Sequence, residues 1–73
     1  MNQYSINLKN KRKALGIRLR ELSDATGIAM SNINMYENGR KNLIERRWDL
    51  LNSAMDKIIL LKISELQNFA EKK

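Results

Sequence analysis

The chain is predicted to fold as an all-α bundle of four to five helices. Three observations point there. Apolar residues recur at spacings of three and four. No β-branched run alternates with polar residues over the length of a strand. The chain has no Pro and 3 Gly, and each Gly stands where one periodic stretch stops. The 73 residues amount to one domain, and a domain this small buries a modest fraction of its surface and often leans on a second copy.

The elements follow in order. Ser5 is placed to cap a first helix whose Leu8 and Leu15 face inward, and Gly16 stops it. A second helix spans Ile17 to Thr26, with Leu22, Ala25 and Thr26 on one face, and Gly27 ends it because glycine tolerates the left-handed conformation of such a turn. A third starts near Ala29 and runs to Glu37, ahead of the turn signal Asn38-Gly39. A fourth begins near Leu43–Arg47, with Trp48 and Leu51 pointing in.

From Trp48 to Phe69 there is neither Gly nor Pro, and Asn52, Ser53 and Asp56 are weak interruptions. The fourth helix either runs straight on or bends near Asp56 into a fifth. Ile58, Ile59, Leu60, Leu61, Ile63, Leu66 and Phe69 leave little polar surface there. One use of these residues is to close the domain's own core. So small a core can hardly absorb all seven, and Ile59, Ile63, Leu66 and Ala70 form a seam at spacings of four, three and four. A dimer face built from Ile58, Ile59, Ile63, Leu66 and Phe69 is therefore expected. The chain then divides into residues 1–55 and a C-terminal helical segment, 56–73.

Composition narrows the function. With no Cys and no His, thiolate zinc sites and the usual acid-base machinery are missing, and the carboxylates are scattered among Lys and Arg. Neither an enzyme nor a bound metal or other cofactor is expected. No apolar run reaches transmembrane length, and the first residues, Met1-Asn2-Gln3-Tyr4, are polar. A cytoplasmic protein of bacterial or phage type is expected, with no membrane partner.

The net charge is +6, and its placement is informative. Lys9, Lys11, Arg12 and Lys13 stand unopposed in residues 1–13; Arg18 and Arg20 balance Glu21 and Asp24; Arg40, Lys41, Arg46 and Arg47 outnumber Glu37 and Glu45. Residues 48–73 are neutral overall. The excess brackets the third helix, which suits a polyanion partner as well as a plain basic surface.

The stretch LRELSDATGIAMSNINMYEN, Leu19 to Asn38, has the layout of a helix-turn-helix. The small Ser23 stands fifth, where two helices cross closely; Gly27 stands ninth, in the turn; Ile33 stands fifteenth, in the core, with Leu22 and Ile28 in neighbouring apolar slots. Together with Arg12 four residues before Gly16, and Glu37-Asn38-Gly39-Arg40 closing the third helix, this resembles the Cro/repressor type of helix-turn-helix, the family of lambdoid phage repressors and many small bacterial regulators. The resemblance covers about residues 4–55 and implies a compact lambda-repressor-like bundle, to which the unbroken C-terminal stretch adds an extended helix. It also implies a buried ion pair between Arg12 and Glu37, base contacts from Met30, Ser31, Asn34 and Met35, and phosphate contacts from Asn38 and the basic turn after it. Beyond residue 55 the chain departs, with Met55-Asp56 where the family has a Gly. It departs also at Leu19, where the family often has Gln, and at Arg18, where Ser or Thr would cap the second helix. Arg18 cannot accept a hydrogen bond from the helix start, though it can reach a phosphate. Leu19 either forgoes a polar contact to DNA or packs against a partner.

At 100° per residue, Ala29, Ile33 and Tyr36 fall on the inner side of the third helix. Met30, Ser31, Asn34, Met35 and Asn38 fall on the outer side, with Asn32 at the boundary. An uncharged helical face of Ser, Asn and Met suits a major groove: Asn pairs in two-pronged fashion with adenine, Ser bonds several base edges, and Met packs on a thymine methyl. Arg18, Asn38, Arg40, Lys41, Arg46 and Arg47 are then placed for phosphates, with Lys9, Lys11 and Lys13 more distant. Trp48, Tyr4 and Tyr36 read as packing residues, and Lys57, Lys62, Lys72 and Lys73 as a solvated face of the last helix.

The expected function is sequence-specific binding of double-stranded DNA by a transcriptional regulator, acting as a homodimeric repressor on a near-palindromic operator, with no small-molecule ligand. Phage repressors, restriction-modification controllers and antitoxin-type autoregulators fit this reading equally. The alternative is a protein-interaction module that keeps the scaffold and works through the apolar 58–69 face.

Overall fold

The computed structural model describes residues 2–71, with side chains through Phe69. Lys72 and Lys73, and the side chain of Ala70, lie outside the described residues. Four helices follow one another: α1 (Gln3–Ala14), α2 (Leu19–Thr26), α3 (Met30–Glu37) and α4 (Glu45–Glu71).

Helix α1 is capped by Asn2, not by Ser5. The Asn2 Oδ1 accepts the Ser5 N–H at 2.8 Å, while its Nδ2 donates to Asn42 Oδ1 at 2.7 Å and to the Leu43 carbonyl at 2.9 Å. Asn2 thus closes the helix start and ties it to the loop after α3. Ser5 sits in the first turn and is buried. Its hydroxyl lies too far inside the helix to reach the orphan N–H groups that a cap must satisfy.

Two of the three interhelical turns share one device. After α1, the Gly16 N–H reaches the Lys13 carbonyl at 3.1 Å and the Ile17 N–H reaches the Arg12 carbonyl at 3.0 Å. After α3, Gly39 pairs with Tyr36 at 3.3 Å and Arg40 with Met35 at 2.9 Å. This doubled pairing with a left-handed residue is the Schellman stop. It explains why Ile17, expected to open α2, lies outside it: Ile17 is the residue after the left-handed glycine, and it is buried as part of the core. Between α2 and α3, Gly27 has φ +76° and donates to the Ser23 carbonyl at 2.8 Å. The Thr26 hydroxyl donates to the Leu22 carbonyl and accepts the Ile28 N–H.

The core is built from Leu8, Ile17, Leu22, Ile28, Ile33, Leu43, Leu51, Ala54 and Met55. Three of these, Ile17, Ile28 and Leu43, come from turns, which is how four short elements enclose an interior. Tyr4 and Trp48 stack with centroids 6.2 Å apart at the edge of this core. Leu19, half-buried, packs against the same core. Helices α1 and α2 each pack on both α3 and α4. Ala25 and Ala29, expected on inner faces, are exposed. Ala25 points at the side of α4, and Ala29 is the uncapped residue at the start of α3.

Helix α4 is continuous over 27 residues. At 1.5 Å per residue it is about 40 Å long, nearly the 47 Å long dimension of the molecule. It is not broken at Asp56 into a fifth helix, and Met55 beside it is fully buried in the core. Ile58 and Ile59 are half-buried against the domain's own core, whereas Leu60, Leu61, Ile63, Leu66 and Phe69 are exposed.

Candidate nucleic-acid interface

The site starts from one buried ion pair. Arg12 on α1 meets Glu37 at the end of α3, with Nε 2.5 Å from Oε2 and Nη2 3.0 Å from Oε1. Arg12 Nη1 also donates to the Ile17 carbonyl at 2.9 Å. The side chain of Glu37 is 3% exposed and that of Arg12 is 14% exposed. A two-pronged, charge-assisted contact of this kind fixes direction as well as distance. It locks the last turn of α3 to α1 and to the turn between α1 and α2, leaving the other side of α3 outward.

On that outward side Met30, Ser31, Asn34 and Asn38 are exposed and Met35 is half-buried. Ile33 is fully buried and Tyr36 half-buried on the inner side. The face is pre-arranged by two amide contacts. Asn38 Nδ2 donates to Asn34 Oδ1 at 3.2 Å, and Lys41 Nζ donates to Asn32 Oδ1 at 3.0 Å. Lys41 therefore leans back along α3 from the following turn. The role of Asn32 was visible in sequence only as a boundary position; its partner, nine residues on, depends on the path of the turn.

The cations divide into two groups. Arg18, Arg40, Arg46 and Arg47 are exposed and form no ion pair among the described residues. Lys11 and Lys62 are occupied. Lys11 donates to Asp56 at 2.7 Å and to Asn52, tying α1 to α4. Lys62 lies 3.0 Å from Glu21 Oε2, tying α4 to α2. Lys62 is thus half-buried and paired, a correction to its expected place on a solvated face, while Lys57 is exposed. The spacing that could have shown this is Leu51, Met55, Ile58, Lys62, at four, three and four along the inner side of α4.

Glu21 has a second task. Its Oε1 accepts the Arg18 N–H at 3.1 Å, supplying half of the cap that Arg18 cannot make for itself. The Arg18 N–H first, and then Lys62, hold the Glu21 carboxyl below its ordinary value near 4.5.

This is the geometry of a helix-turn-helix: two helices joined through a left-handed glycine, the second with its outer face open and uncharged. The Helix-turn-helix family model, of the Cro/repressor type, matches residues 8–52, and the chain belongs to that family. The protein is accordingly a DNA-binding transcription regulator, of a family that is regulatory rather than enzymatic. No match was found among curated proteins or among solved structures. No helix of the described chain is long and apolar enough to cross a membrane.

Proposed function

We propose that the protein is a repressor that binds a near-palindromic operator as a homodimer. Each copy places α3 in the major groove, with Met30, Ser31, Asn34 and Met35 toward the bases. Arg18, Asn38, Arg40, Lys41, Arg46 and Arg47 meet phosphates and fix the register. A bound dimer represses by occluding a promoter. The observation that carries this reading is the charge-free outer face of α3, flanked by four exposed arginines without ion-pair partners among the described residues.

The dimer is assigned to the distal part of α4. Leu66 is 70% exposed and Phe69 73% exposed, and Ile63 lies on the same side one turn earlier. Exposed side chains of this size in a row on a helix are costly to leave in water and suit a two-fold pairing with the same stretch of a second copy. Ile58 and Ile59 contribute through their remaining exposed surface.

The test is a salt titration on duplex DNA. A DNA reader predicts log K falling steeply with log salt, by several phosphates' worth of counterion release. Asn34→Ala should cost about 1–3 kcal/mol on the specific operator and little on random duplex; equal losses on both would remove the base-reading role. A second reading rests on Leu60, Leu61, Leu66 and Phe69, whose exposure also suits a protein-interaction module. Absence of duplex binding at low salt would favour it.

A further inference from the structure

We infer that the centre of each operator half-site is A·T rather than G·C, with Asn34 on an adenine, Met30 and Met35 on thymine methyls, and Asn38 as the residue that positions Asn34. The inference rests on the DNA-binding reading above and adds what kind of sequence the site takes.

The first ground is what the outer face of α3 lacks. The commonest reader of guanine is a two-pronged Arg or Lys, and the usual acceptor for the cytosine amino group is a carboxylate. Met30, Ser31, Asn34, Met35 and Asn38 include neither. The one carboxylate on α3, Glu37, is buried and engaged by Arg12. The arginines lie off the helix, at Arg18 before α2 and at Arg40, Arg46 and Arg47 after α3.

The second ground is the contact between Asn38 and Asn34. Asn34 Oδ1 already accepts one N–H from Asn38 at 3.2 Å. In this arrangement Oδ1 faces Asn38 and keeps one lone pair, and Nδ2 keeps two N–H groups for a base edge. Adenine presents N7 as acceptor beside the N6 amino donor in the major groove. Nδ2 then donates to N7 while Oδ1 accepts from N6. Guanine presents two acceptors, N7 and O6, so Oδ1 would face O6 with no proton between them. A carboxamide free to turn would meet guanine with its Nδ2 alone; one held by Asn38 is biased against it.

The third ground is the pair of methionines. On a wheel at 100° per residue, Asn34, Asn38 and Ser31 form the middle of the outer face, with Met30 and Met35 on its two edges. Met30 is exposed and Met35 half-buried. A thioether gains most from an apolar neighbour, and the thymine methyl is the apolar group among the four bases in that groove.

The experiment uses the full chain and a duplex pool with a randomised central segment. Rounds of selection give a consensus, and fluorescence anisotropy then compares the selected duplex with three variants: central A·T pairs exchanged for G·C, adenine replaced by 7-deazaadenine, and thymine replaced by uracil. The expected results are an A·T-centred consensus and a loss of about tenfold or more on G·C exchange. Weakening on loss of N7 and on loss of the methyl is also expected. Asn34→Ala should abolish sensitivity to 7-deazaadenine. Asn38→Ala should shrink the A-over-G preference; an equal loss of affinity on the A·T and G·C duplexes would leave Asn38 a phosphate contact alone and remove its positioning role. A G·C-centred consensus, or indifference to 7-deazaadenine, would overturn the inference while leaving the DNA-binding reading intact. Binding with no enriched sequence would do the same. Failure to bind any duplex at low salt would overturn both.

Discussion

Removing Arg12 should cost far more than neutralising Glu37, although the two form one ion pair. In Arg12→Met, the apolar stem of the side chain is kept, but a carboxylate that is 3% exposed loses its cation. Breaking a buried pair from one side costs about 3–5 kcal/mol. In Glu37→Gln, Arg12 keeps its bond to the Ile17 carbonyl, an amide oxygen still accepts from the guanidinium, and 14% of the Arg side chain already touches solvent. That loss is about 1–2 kcal/mol, the scale of a weakened hydrogen bond to a charged group. Replacing both, as Arg12→Met with Glu37→Leu, removes the stranded charge and should recover most of the Arg12→Met loss. At roughly 0.05–0.15 kcal/mol per residue, a chain of 73 residues has about 4–11 kcal/mol in all, so the single change is severe. Urea melts followed by the fluorescence of Trp48, which stacks on Tyr4, would measure it. With a urea slope of about 1 kcal/mol per M, a loss of about 3 kcal/mol lowers the midpoint by about 3 M. Equal losses in the two single variants, or a double variant as unstable as their sum, would refute the reasoning.

Other outcomes follow from the same geometry. Gly27→Ala should destabilise by about 1–2 kcal/mol, from backbone conformation alone, because φ is +76° and a Cβ there meets nothing within 4 Å; a neutral urea midpoint would contradict that. Replacing Ile63 and Leu66 together with Lys should yield monomers by sedimentation with helix content intact, and an unchanged dimer would place the interface elsewhere. The depressed Glu21 carboxyl contributes stability above its unfolded value, near 4.5, which is lost as pH falls through the lower folded value. The difference between wild type and Glu21→Gln should therefore shrink as urea melts are taken from neutral pH to below 4.5. A difference that stays constant over that range would remove Glu21 from the linkage.

Much of this protein was legible in its residues because the constraints there are local. A glycine at positive φ, the inward placement of Leu8, Leu22 and Ile33 each within its own helix, and the switch from apolar to uncharged polar along α3 each depend on residues within a turn or two. Those suffice to place four helices, the turn at Gly27 and the outward face of α3. What they leave undetermined are contacts between distant segments: Asn2 with the loop at Asn42 and Leu43, Lys11 with Asp56, Lys62 with Glu21, and Lys41 with Asn32. Sequence alone likewise left two courses for α4, since weak breakers at Asn52, Ser53 and Asp56 do not end a helix by themselves. Packing decided it: Met55 is buried on the core side and Lys62 is drawn to Glu21, so the helix gains contacts by running straight. Helical period tells which way a side chain points from its own axis; only the meeting of axes tells what it finds there.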